Sequence, residues 1–216
     1  MYDLRRGLVA LLALCAFVVV PWAGSRARPT RVVTSPAALL TPETRTAGLT
    51  FAPEVAPGDR QLVLAAVARA RPEARRLVDA VDGLVTIRVA GVTSSAVGLT
   101  HGLGNRFEVV LDLGRVWHQS GDRGINRLVL HELGHVVDFV LVPDALKARL
   151  DAGIPAGYAC DPGVADGACT APAERFAETF AKWATGDLGF DVDLGYKVLA
   201  PTSLDAWAQP LTLLRL

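Results

Sequence analysis

Residues 122–142 place the strongest constraint on how this chain folds. Ile125, Leu128, Val129, Val136, Val137 and Val140 recur at helical spacing and gather on one side of a helix, whereas a strand would send them to both faces. Asp122 offers an N-cap and Pro143 a stop, so the spacing predicts a helix over 122–142. In its middle stands His131-Glu132-Leu133-Gly134-His135. Two histidines four apart project together, about one turn from each other, and each imidazole can offer a nitrogen to one metal ion. Gly134 between them suits close packing by another helix.

The remaining pattern supplies partners for that helix. Residues 84–89 and 106–113 read as strands separated by a glycine-rich turn over 98–104. Asp59 as N-cap, followed by Leu62, Val63, Ala66 and Val67 and later Leu77, Val78 and Val81, fits a helix or helix pair, with Pro72 opening a new turn. A further helix is predicted over 172–185, with Pro172 in its first turn and Gly186 just past its end. A last one is predicted over 203–214, broken at Pro210. The expected fold is α+β: a small mixed sheet packed against the helix bearing residues 131–135 and the helix over 172–185, in one domain spanning 58–216.

The 216 residues are 51% hydrophobic, which fits one domain of ordinary size plus an extra apolar segment. Arg5 and Arg6 precede an uninterrupted apolar run over 8–20, and Gly24-Ser25-Arg26-Ala27 supplies small residues for cleavage, so residues 1–27 read as a secretory signal peptide. The run is short of the about 20 apolar residues of a membrane span, and the competing reading is an uncleaved N-terminal anchor as the sole membrane contact. Residues 28–57, with Pro29, Pro36, Pro42, Pro53 and Pro57 and no sustained period, read as a linker or irregular arm. Lys+Arg and Asp+Glu balance at 22 each, which argues against a nucleic-acid partner. A secreted or cell-envelope location and a monomer are expected. Export makes a disulfide the default state of Cys160 and Cys169, since two metal-binding thiolates would need further ligands at that spacing and the only other cysteine is Cys15.

His-Glu-x-x-His on a helix is the pattern of a zinc site. The competing reading, two buried histidines bonded to backbone or carboxylates, does not ask for Glu132. A catalytic zinc takes about three protein ligands and keeps one position open. Asp138 and Leu141 stand where the extended metzincin pattern requires glycine and histidine, and His101 and His118 read as surface or loop residues. Carboxylates downstream remain. Glu174 and Glu178 lie one turn apart on one helix face, next to the apolar Phe176, Ala177, Phe180 and Trp183. One can ligate while the other accepts a hydrogen bond from a ligating histidine, and the spacing leaves open which does which. Asp138, one turn past His135, either holds that histidine's second nitrogen or bonds a neighbouring helix.

HELGHVVD followed by AERFAETFA resembles the gluzincin-type zinc metallopeptidases, and within them the catalytic domain of anthrax lethal factor and related bacterial enzymes. The resemblance covers residues 106–183 and is carried by the two motifs. It implies a zincin-like fold with His131, His135 and Glu174 as ligands of Zn2+, Glu178 as the partner of a ligating histidine, and Tyr158 as the hydroxyl that stabilises the oxyanion. The spacing from Tyr158 to Glu174 is longer than the family's, because the Cys160 to Cys169 loop intervenes. It also implies hydrolysis of a peptide or protein substrate, with a zinc-activated water and Glu132 as general base. The strand over 107–113, if it lies at a sheet edge, would align an extended peptide by main-chain pairing. The alternative is a zinc-binding but catalytically inactive extracellular module that recognises a peptide or cell-envelope partner, for which Glu132 is dispensable.

Overall fold

Alternation in two short segments builds the centre of a sheet. Val85 and Ile87 of β2 (Val85–Val89) and Val109 and Leu111 of β4 (Arg106–Leu111) are buried, while Thr86, Arg88 and Glu108 point to the other side. The register sets Val85 beside Phe107 and Ile87 beside Val109, so one face is apolar and the other carries the ion pair of Arg88 with Glu108. The computed structural model describes residues 48–92, 96–155, 171–190 and 198–216. Within them β1 (Thr50–Phe51) pairs parallel with β2, β2 pairs parallel with β4, and β3 (Gly98–Leu103) pairs antiparallel with β4. The sheet is therefore mixed, in the order β1-β2-β4-β3, with β3 at an edge.

Two expectations change here. The glycine-rich stretch over 98–104 is mostly strand, and the tight turn is confined to Gly104 and Asn105, where φ of Gly104 is 69°. The stretch read as an arm ends earlier than position 57. Thr50 and Phe51 are paired with Thr86 and Ile87, the Ala52 amide donates to the Ile87 carbonyl at 2.9 Å, and Val55 is buried. Pairing with a distant strand made this segment part of the sheet, and a prolyl-rich composition gives no sign of it.

Helix α1 (Pro57–Arg69) and helix α2 (Pro72–Ala80) form the expected pair, each with proline in its first turn; Asp59 sits inside the first turn and Ala56 occupies the N-cap. Helix α3 (Leu113–Leu141) starts nine residues before the expected position, capped by Asp112, whose carboxylate accepts from the Arg115 amide at 3.1 Å. It is two helical segments joined at Gly121, where φ is 55° and ψ is −148°, so the segment carrying His131 begins next to Asp122 as the pattern required. Every residue from 127 to 138 is buried, polar ones included, because α3 is covered on one side by the sheet and on another by helix α5 (Pro172–Thr185). Beyond Asp138 α3 emerges again, which leaves Val140 exposed rather than in the core.

α5 has the predicted limits, with Pro172 at its start and Gly186 in the left-handed conformation at its end. Helix α4 (Asp144–Ala152) follows Pro143 directly and was not legible as a separate element. Helix α6 (Leu204–Thr212) is capped by Ser203 and runs through Pro210 without the expected break. The Trp207 indole N–H donates to the Leu150 carbonyl at 3.0 Å and so ties α6 to α4.

Candidate metal centre

The crossing of α3 and α5 is close because Gly134 has no side chain. A Cβ there would lie 3.1 Å from Phe180 Cδ1 and 3.2 Å from the Ala177 Cα, and the second of these is backbone that cannot turn aside. Gly134→Ala should therefore force the helices apart and cost about 1–3 kcal/mol, seen as a Tm lower by about 2–12 °C. An unchanged melting curve would show that the two helices have slack at this point.

The close approach brings the side chains together. His131 and His135 are buried, and their rings meet edge to face at 4.9 Å between centroids. The Nε2 of His131 lies 3.3 Å from Glu174 Oε2, and the Nε2 of His135 lies 3.4 Å from the same oxygen. One ligand atom from each of the three residues falls within 4.8 Å of the others. Ligands about 2.0–2.1 Å from a tetrahedral zinc stand about 3.3–3.4 Å apart, and the distance from each Nε2 to Glu174 fits such an ion. The donor set of two imidazoles and a carboxylate suits it chemically. A buried His131/His135/Glu174 group that can hold a metal ion is therefore present, consistent with a zincin-like site. Glu174 is the exposed member, with 32% of its side chain accessible, and marks the side on which the group opens.

No protein family, no curated protein and no solved structure matches the chain. The site is thus read from its own geometry.

Glu178 reaches the other nitrogen of His131, with Oε2 at 3.3 Å from Nδ1. Its Oε1 faces two buried cations, Arg127 at 3.6 Å and Lys182 at 3.5 Å. Burial acts against charge on His131, but its hydrogen bonds with Glu174 and Glu178 outweigh that and carry its pKa up to about 10. Burial likewise opposes ionisation of Glu174, and its bonds to His131 and His135 more than compensate, holding the carboxyl well below the usual range. Glu178 is also held down, against burial, by His131 and then by Arg127 and Lys182. A divalent cation held by these donors would compete with a proton for them.

Glu132 is buried and points to the edge strand. Thr100 Oγ1 of β3 donates to Glu132 Oε2 at 2.7 Å, and Oγ1 also lies 3.1 Å from the Glu132 carbonyl oxygen. Gly98 leaves the room for this: a Cβ there would stand 2.1 Å from Glu132 Oε1 and 2.8 Å from Leu128 Cδ1. The negative charge of Glu132 acts on His131, so it shares the site's electrostatics.

The other sequence candidates fall as follows. Asp138 is buried and pairs with Lys147 of α4 at 3.6 Å; burial raises its pKa and Lys147 opposes the rise, while only its field reaches His135. Tyr158, Cys160 and Cys169 lie outside the described residues, as do residues 1–27 and most of the arm. His101 sits on β3 against Glu108, at 3.3 Å, and His118 is exposed on the first segment of α3. The strand over 107–113 is not an edge: β4 ends at Leu111 and is paired on both sides, and β3 takes the edge position instead. Chain order hides this, because the strand later in sequence lies inside the sheet.

Four residues around the site were not singled out from sequence. Arg127 and Lys182 were detectable in principle, since Arg127 is one turn before His131 and Lys182 one turn after Glu178. Thr100 and Gly98 were not, because their relation to Glu132 crosses from sheet to helix.

Proposed function

We propose that this chain is an exported zinc metallopeptidase of the gluzincin type. The observation that carries the reading is the convergence of both Nε2 atoms on one oxygen of Glu174, at 3.3 and 3.4 Å, with Glu132 in the same buried cluster. His131, His135 and Glu174 would hold the ion, and Glu178 would fix the His131 ring by accepting from Nδ1. Bound zinc supplies Lewis acidity for the scissile carbonyl and the attacking water. Glu132 takes the water's proton and returns it to the leaving amine. Thr100 holds that carboxylate in place, and Glu174 lies on the open side from which substrate enters. Among the described residues β3 is an edge strand, which would offer main-chain donors and acceptors to an extended peptide and so favours a peptide over a compact small molecule.

The test is cleavage of a diverse peptide library by the zinc-loaded chain, run beside Glu132→Ala at equal metal content. Cleavage by the wild type alone supports the reading. Cleavage by neither, or equally by both, overturns it.

Gly98 supplies a sharper check on Glu132. In Gly98→Ala the new methyl occupies the place of the Glu132 carboxylate, and the flexible end of that side chain is what gives way. The variant is expected to fold and bind zinc normally while kcat falls by about 10²-fold, the scale of a small misplacement of a reacting group. Unaltered kcat would show that the Thr100-held position is not the working one.

A further inference from the structure

We propose that Arg127 and Lys182 are positioning residues that set the metal affinity of this centre by holding Glu178 against His131. The inference rests on reading the His131/His135/Glu174 group as a metal centre. Four side chains alternate between the two helices. Arg127 precedes His131 by one turn on α3, and Lys182 follows Glu178 by one turn on α5. The Glu178 carboxylate lies among them, with Oε2 on His131 Nδ1 at 3.3 Å and Oε1 facing Arg127 Nη1 at 3.6 Å and Lys182 Nζ at 3.5 Å. All four side chains are buried, with Arg127 at 1% and Lys182 at 4% exposure.

Such an arrangement is not the cheapest way to fill a core. Taking two cations and a carboxylate out of water is unfavourable, and well-packed apolar residues in their place are often neutral or stabilising. What the cations add is control of Glu178. Facing Oε1 from both helices, they fix the rotation of its carboxylate, so that Oε2 stays on Nδ1. With Nδ1 engaged, the ring has one orientation, and its Nε2 is aimed at Glu174. The cations are themselves located by backbone. Arg127 Nη2 donates to the carbonyls of Asp187 at 2.5 Å and Phe190 at 2.6 Å, and Lys182 Nζ donates to that of Val198. The chain beyond α5 is thereby joined to the orientation of a ligand it does not touch.

The rival explanation is that Arg127 and Lys182 only anchor those carbonyls. A double-mutant cycle separates the two. Zinc dissociation constants would be measured by chelator competition for the wild type, Arg127→Met, Lys182→Met, Glu178→Gln and the two doubles with Glu178→Gln, with the visible spectrum of the cobalt-loaded forms as a second readout. Glu178→Gln is expected to weaken zinc binding about 10–100-fold, the range for such partners, and each cation variant about tenfold. Within Glu178→Gln the cation substitutions should then have little further effect, and Lys182→Arg should bind nearly as the wild type does. Additive losses, unchanged affinity with only a lower Tm, or tighter binding would each overturn the proposal while leaving the metal centre standing. Failure of the wild type to bind zinc would overturn both. If Arg127→Met does not fold, the Lys182 arm of the cycle decides.

Discussion

Glu132→Ala is expected to bind zinc as the wild type does and to lose about 10²–10⁴-fold in kcat, the contribution of a positioned general base. The separation of the two effects follows from where Glu132 points. His131 and His135 face Glu174, whereas the Glu132 carboxylate turns to β3 and accepts from Thr100 at 2.7 Å. Removing it deletes no donor from the triad. It also leaves Thr100 partly satisfied, because the hydroxyl already lies 3.1 Å from the Glu132 carbonyl, so the fold should persist. Metal content by atomic absorption and kcat on a cleaved peptide are the two measurements. A variant that turns over at near wild-type rate, or one that loses its zinc, contradicts the assignment.

Glu174→Ala should do the reverse and empty the centre. Among the described residues Glu174 is the one carboxylate whose oxygen meets both imidazoles, so its loss removes a ligand and the point on which the other two converge. The affinity should fall by more than the about 10–100-fold that loss of a partner behind a ligand costs. Thermal melting gives an independent view. Zinc at about 100 times its dissociation constant stabilises the folded state by about 2.7 kcal/mol, so a chelator should lower the wild-type Tm by about 5–11 °C. Glu174→Ala should melt at one temperature with and without chelator. A chelator response as large as the wild type's would show that the ion is held elsewhere.

These expectations draw unequally on sequence and on tertiary structure. The helix around His131 was legible because its apolar residues repeat at the period of the element that buries them, and the limits of α5 because Pro172 and Gly186 have fixed places at helix ends. The α+β class and the mixed sheet followed from the same local signals. The start of α3 was misplaced because Gly121 joins two helices that the pattern presents as one helix and a loop. In sequence β3 reads as a turn because of its glycines, of which Gly98 makes room for Glu132 and Leu128 of another element, and β1 reads as an arm because its pairing partner lies more than thirty residues away.

What the sequence determined alone is whatever one element can express: the pair of histidines on one side of a helix, a glutamate between them, and a second helix with two acidic residues one turn apart. Which of those acidic residues meets the histidines, and with which atom, was decided by the crossing of α3 over α5 at Gly134. The crossing sets Glu174 on both Nε2 atoms and Glu178 on Nδ1. That the sheet presents β3 rather than β4 as its edge, and Thr100 to Glu132, was decided by strand order. Periodicity fixes which side of an element faces inward, but it carries no record of the distance or the neighbour on that side. Those are set only when separate elements pack.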